Sequence, residues 1–184
     1  MGADRQWQKQ IVRGMAKLCL AFGCLLALPA GAGGDLTGEQ APDFTLKSVA
    51  GKNLRLSEYR GGVVLLSLWA SWCGDCREQL NDLNALHGEL SKRGVSVITV
   101  SVDRRTERAI ELATDLKLQM PVLLDTRQKV ARQYDPRFMP MTVLIDPAGT
   151  IRHVHEGFEL PDTEAYLAEV EQLLADFGPI AEEG

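Results

Sequence analysis

Residues 61–71 read GGVVLLSLWAS, and from Val63 to Ala70 every residue but Ser67 is apolar. A strand that is apolar on both alternating faces has no side to give to water. It belongs inside a sheet that is covered by other layers above and below. Trp72, Cys73, Gly74, Asp75 and Cys76 follow at once, and then Leu80, Leu83, Leu86/His87 and Leu90 recur at helical spacing. Cys76 lies on the same stripe as those leucines, and Lys92, Arg93 and Gly94 supply a helix stop. The chain therefore passes from a buried strand through a Cys-x-x-Cys step into an amphipathic helix.

The rest of the sequence repeats this alternation. Short extended segments are expected at 41–46 and 53–59, around the turn Ala50-Gly51-Lys52. Buried strands are expected at 95–102 and 121–125, with a helix at 103–116 between them. Thr126 is expected to cap a short helix that runs to Tyr134. Residues 141–146 and 151–156 read as two strands joined by the hairpin residues Pro147-Ala148-Gly149. A last helix is expected at 162–177, with Leu167, Val170, Leu173/Leu174 and Phe177 on its core face and Gly178-Pro179 as its stop. Strands alternating with helices predict an α/β domain with helices flanking a mixed central sheet, whose last two strands are antiparallel.

The N-terminus has a different character. Lys9, Arg13 and Lys17 precede the apolar run Leu18–Ala32, which ends in Ala30-Gly31-Ala32. That is the layout of a signal peptide over residues 1–32, and the run is shorter than the ~20 residues a spanning helix needs. Retained, the segment would be an anchor. The apolar stretch continues past Cys24, which argues against a lipid on that cysteine. The expected organisation is signal peptide 1–32, linker 33–40, domain 41–178 and tail 179–184. The net charge of −5 becomes −8 once residues 1–32 are gone, which excludes nucleic acid and anionic membrane surfaces as natural partners.

Of the four cysteines, only Cys73 and Cys76 survive that cleavage. A bridge closing so short a loop constrains the unfolded chain little, so a purely mechanical role is a poor explanation. Structural zinc wants four ligands, and no second cysteine pair remains. His153 and His155 share one strand face and read as a solvated edge, so no metal and no cofactor is expected. A helix N-terminus, with its unpaired N–H groups and partial positive charge, favours a thiolate. Cys73 is thus the expected nucleophile and Cys76, one turn on, the resolving thiol. Trp69 alternates with the buried strand residues and reads as core, whereas Trp72 reads as an apolar floor for substrates.

The segments APDFTL, LSLWASWCGDCRE, GVSVITVSVD, PVLLD and MPMTVLIDPAGTI resemble, in order and spacing, the TlpA/ResA-type exported thiol–disulfide oxidoreductases of the thioredoxin superfamily. The resemblance covers about residues 40–177. It implies a thioredoxin-like fold with an extra N-terminal β-hairpin and a central βα insertion near residues 95–120. It also implies that Pro140 is a cis-proline facing the cysteines, beside a Met139 backbone that pairs with substrate.

The sequence departs from that family in three ways. Asp75 stands where proline is common, and its charge disfavours ionisation of Cys73. Relatives carry a glutamate three residues after the second cysteine. Here that residue is Gln79, and the nearest glutamate, Glu78, points about 100° away on the helix. A helix-kinking proline is also missing, with Leu80-Asn81 in its place, and Ser67 stands where cytosolic thioredoxins bury an aspartate. Asp75 and Glu78 are accordingly the expected tuners of the thiol pKa.

The expected activity is reduction of protein disulfides in the periplasm or another exported location. Electrons would come from a membrane thiol donor, and cytochrome c maturation or metallochaperone maintenance are the jobs that the resemblance suggests. Membrane contact is expected only if the N-terminal segment is retained. One competing reading is a thioredoxin-fold peptide-binding module with an idle disulfide. Another is a peroxiredoxin-type peroxidase, which needs a proline and a threonine before the cysteine that SLWASWC lacks.

Overall fold

The computed structural model describes residues 35–157 and 163–177. The expected signal peptide 1–32 and tail 179–184 lie outside them. A two-stranded antiparallel hairpin, β1 (Thr45–Lys47) with β2 (Asn53–Arg55), comes first. A five-stranded sheet follows, in the order β5-β4-β3-β6-β7. Its strands are β3 (Val63–Trp69), β4 (Val95–Ser101), β5 (Val122–Leu124), β6 (Met141–Ile145) and β7 (Ile151–Glu156). β3, β4 and β5 run parallel, while β6 and β7 are antiparallel additions beyond β3. The helices are α1 (Gly74–Lys92), α2 (Thr106–Asp115), α3 (Lys129–Tyr134) and α4 (Thr163–Phe177). This is the thioredoxin-like fold, with the expected hairpin before it and β4–α2 in the region expected for the insertion.

β3 is central, and every one of its residues is buried. Its two faces feed two cores. Val63, Leu65 and Trp69 pack with Cys76, Leu80, Leu83 and Leu90 of α1 and with Val170 and Leu173 of α4. Val64, Leu66 and Leu68 pack with Val130 and Tyr134 of α3 and with Phe44 and Leu56 near the hairpin. Each fully buried leucine contributes roughly 1.5–3 kcal/mol of transfer free energy. The helix α1 ends as its sequence predicts, with Gly94 at φ +79°, a left-handed conformation that glycine takes without a Cβ penalty.

Several local expectations are corrected. Residues Leu56–Tyr59 form a turn of 3-10 helix rather than an extension of β2; the Glu58 side chain accepts from the Arg55 N–H. α3 is capped by Asp125, not by Thr126. The Asp125 carboxylate, 1% exposed, accepts from the N–H groups of Lys129 (2.8 Å) and Ala131 (2.9 Å). α2 begins at Thr106, because Asp103 is engaged elsewhere. Phe177 is exposed, not core. Part of the expected linker 33–40 is fastened to the β7 end of the sheet. Gly38 N–H donates to the Ile151 carbonyl (2.8 Å), Ile151 N–H donates to the Glu39 carbonyl (2.9 Å), and Gln40 bridges to Thr150.

Candidate active site

Cys73 is the N-cap of α1 and is bonded to Cys76 as a disulfide. The N–H of Cys76 donates to the Cys73 sulfur at 3.1 Å, so a backbone donor of the first helical turn is aimed at that atom. Cys73 is half-buried, whereas Cys76 is completely buried in the core beneath it. Attack from outside is therefore open to one sulfur and closed to the other. Trp72 stands 72% exposed beside the accessible sulfur, and Trp69 is fully buried.

The approach to Cys73 is held from the next strand end. Asp103, 7% exposed, accepts from the Ser71 N–H (2.9 Å), the Ser71 hydroxyl (2.8 Å) and the Ser101 hydroxyl (2.8 Å). That one carboxylate fixes the loop carrying Trp72. The sequence signal for it is an acid directly after the buried run of β4, a place that a solvated loop residue fills equally well. A recess lined by Trp72, Arg104, Arg105 and Arg108 opens on the same side.

The Met139–Pro140 peptide is cis, as the resemblance implied. Pro140 is buried, and its carbonyl accepts from the Gly157 N–H at 2.8 Å. Gly157 has φ +65°, and a Cβ there would stand 2.9 Å from Cβ of Phe138, so only glycine lets β7 approach this loop. Phe138 is 67% exposed and Met139 half-buried, so the loop that carries the cis peptide presents apolar surface of its own.

Behind Cys76 lies a chain of neutral hydrogen bonds. Ser67 Oγ donates to Oε1 of Gln79 (2.9 Å), and Nε2 of Gln79 donates to Oγ1 of Thr142 (2.6 Å). All three side chains are buried. Burial pushes the Tyr166 phenol up to about 12, with Thr142 and Gln79 pulling the other way. Its hydroxyl makes no hydrogen bond of good geometry among the described residues, so those two act on it by proximity. Asp75 and Glu78 are both exposed, on the outer face of the first turns of α1. Of the three polar side chains that directly follow Cys76, Arg77, Glu78 and Gln79, Gln79 is the buried one.

A strand-to-helix Cys-x-x-Cys disulfide with one sulfur accessible, set in this fold, defines a thioredoxin-like thiol–disulfide oxidoreductase. Residues 37–154 match the family model described as the AhpC/TSA family, and the chain belongs to that family. It is 31% identical over 134 residues to the thiol-disulfide oxidoreductase ResA of Geobacillus kaustophilus, covering 72% of this chain and 77% of that one. It is likewise 31% identical over 122 residues to the thioredoxin-like protein YneN of Bacillus subtilis, covering 65% and 71%. Among solved structures, a protein described as the thiol:disulfide interchange protein DsbE of Chlorobium tepidum superposes with TM-score 0.69 at 34% identity, over 77% of this chain and 98% of that one. The exposed lipoprotein thioredoxin Etrx1 of Streptococcus pneumoniae gives TM-score 0.63 at 32% identity, over 72% and 100%.

Proposed function

We propose that this oxidoreductase works as an exported disulfide reductase. The Cys73 thiolate attacks one sulfur of a substrate disulfide, and the other substrate sulfur leaves as a thiolate that takes up a proton. The Cys76 thiolate then attacks the Cys73 sulfur, releasing the second substrate thiol and leaving the Cys73–Cys76 disulfide. Two electrons pass to the substrate in each cycle. A dithiol donor at the membrane restores the reduced pair. The observation that carries this reading is the asymmetry of the pair. Cys73 is accessible and receives a helix N–H, while Cys76 is sealed and reaches only its partner.

Export rests on the residues 1–32 pattern and agrees with the pneumococcal relative's description as an exposed lipoprotein. The direction of electron flow rests on the compartment. Exported spaces already hold strong oxidants, so a thioredoxin-like member there is useful as a source of electrons. Protein disulfides, including those met in cytochrome c maturation or on metallochaperones, are the proposed substrates. Trp72, Met139 and Pro140 form the proposed contact surface, and Asp75 and Glu78 lie near enough to the helix start to tune the thiol.

The test is an insulin-reduction assay joined to covalent trapping. The native chain turns over, and Cys76→Ala accumulates a complex that dithiothreitol releases. Cys73→Ser does neither. Turnover that survives Cys73→Ser, or a Cys76→Ala chain that traps nothing, would remove this mechanism. A binding module would show no turnover in any form, and a peroxidase would consume peroxide in preference to insulin.

A further inference from the structure

β7 places His153 and His155 on one face, two residues apart, toward α4. Their rings stand nearly parallel, 9° between planes, with centroids 6.3 Å apart. Opposite them α4 brings Glu169 on the same stripe as the buried Tyr166, Val170 and Leu173. A carboxylate at an inward helix position needs a partner to offset its lost hydration. His155 Nε2 lies 2.8 Å from one Glu169 oxygen and supplies that partner. The second imidazole goes beyond this need. Nδ1 of His153 stands 3.5 Å from the other Glu169 oxygen, too far for a strong hydrogen bond and suited to a shared ion.

We propose that His153, His155 and Glu169 form a binding site for a divalent first-row transition-metal ion such as Zn²⁺. Two imidazole nitrogens and one carboxylate oxygen make a donor set that suits zinc or copper rather than magnesium or calcium. One ligand atom from each residue lies within 4.8 Å of the others. Tetrahedral zinc with bonds near 2.0–2.1 Å holds its ligand atoms roughly 3.3 Å apart. Bringing atoms at most 4.8 Å apart to that spacing takes side-chain displacements of about an ångström. All three residues are half-buried, so the ion keeps an open position toward solvent for water or a further ligand.

The site is separate from the redox pair and coupled to it through packing. His155 pairs with Thr142 across β6 and β7, and Thr142 holds Gln79 behind Cys76. The His155 ring also meets Tyr166 edge-on, with centroids 5.3 Å apart. A bound ion would clamp β7 to α4 at the place where both touch that network.

The test uses the full chain without a histidine tag, carrying Cys19→Ser and Cys24→Ser, with Cys73–Cys76 kept oxidised so that no thiol competes for the ion. Titration with Zn²⁺ by calorimetry is expected to saturate at one ion per chain. His153→Ala, His155→Ala and Glu169→Gln should each weaken binding about tenfold or more. His87→Ala, which removes the remaining histidine, should leave it unchanged. Thermal melting provides a reading that needs no variant, since Zn²⁺ that binds only the folded chain raises the wild-type Tm with concentration. Absence of saturable uptake, a wild-type Tm indifferent to Zn²⁺, or equal affinity in a folded His153→Ala chain would each overturn the site.

Discussion

Nε2 of Gln79 lies 2.6 Å from Oγ1 of Thr142, tying the helix that carries both cysteines to the strand that follows the cis-proline. Oε1 of the same amide accepts from Ser67 on the central strand, so one side chain joins three elements beneath the disulfide. The amide uses its donor and its acceptor at once, which a carboxylate at this position could not do. The sequence has therefore placed a neutral hub where ResA-type relatives are expected to hold a proton acceptor. Its consequence is that the buried side chain one turn after Cys76 is a neutral amide, which cannot accept the Cys76 proton as a carboxylate would.

The hub makes a sharp prediction for Gln79→Glu. The new carboxyl is buried, and Thr142 can no longer receive a donated hydrogen from it when it is ionised, so its folded pKa rises above the unfolded value near 4.3. A raised carboxyl leaves the variant least penalised at acid pH. The penalty grows as pH climbs from about 4.3 through the folded pKa, by about 1.4 kcal/mol for each pH step of one between those two values. Urea midpoints at pH 5 and pH 8 should show the gap to wild type widening by roughly 1–3 kcal/mol. A gap of equal size at both pH values would mean that the position is wet rather than buried.

Asp103 predicts a different failure. Its carboxylate receives three hydrogen bonds that hold Ser71 and, through it, Trp72. Asp103→Ala leaves those donors to find water and should cost about 2–4 kcal/mol. Lost stability alone would not mark it as a positioning residue. The rate at which iodoacetamide alkylates reduced Cys73 should also change severalfold in conditions where the variant is fully folded, with Asp103→Asn recovering part of the change. An alkylation rate that stays at the wild-type value would confine Asp103 to a structural role.

The central strand and the Cys-x-x-Cys helix are readable in the sequence because their physics is local. β3 has no polar face beyond Ser67, and the α1 stripe follows directly in sequence. The partners that complete the site are not readable, because they come from distant strands and helices. Thr142 lies 63 positions from Gln79, Asp103 lies 32 from Ser71, and Glu169 lies 14 from His155. Each looks like a polar residue of its own element, and only sheet register and helix docking turn it inward. The solvated-edge reading of His153 and His155 fails for the same reason. Alternation places them on one face, but nothing local says that α4 covers that face.

Trp72 separates binding from folding. The side chain is 72% exposed, so Trp72→Ala should move the urea midpoint by no more than about 0.5 kcal/mol. Its loss from the proposed contact surface should raise KM for insulin about tenfold, corresponding to about 1.4 kcal/mol of lost apolar contact, with kcat little changed. Oxidation of dithiothreitol, which is too small to use that surface, should proceed at the wild-type rate. Equal loss on both substrates would place Trp72 in the chemistry instead of in recognition.

Asp75 sits at the second position of α1, exposed, two residues after the cysteine proposed to ionise. Its backbone N–H belongs to the first turn, where proline removes no intrahelical bond, so Asp75→Pro should fold normally. Removing the negative charge favours the Cys73 thiolate, and the thiol pKa should therefore fall. A stabilised thiolate stabilises the reduced form, which makes the pair more oxidising. A thiol pKa lowered by one is worth about 1.4 kcal/mol, equivalent to about 30 mV for this two-electron couple. Thiolate absorbance against pH would report the first change and equilibration with glutathione buffers the second. Both must move together, pKa downward and potential upward. A potential that rises while the thiol titrates unchanged would assign the effect to the disulfide form, and the charge of Asp75 would no longer explain it.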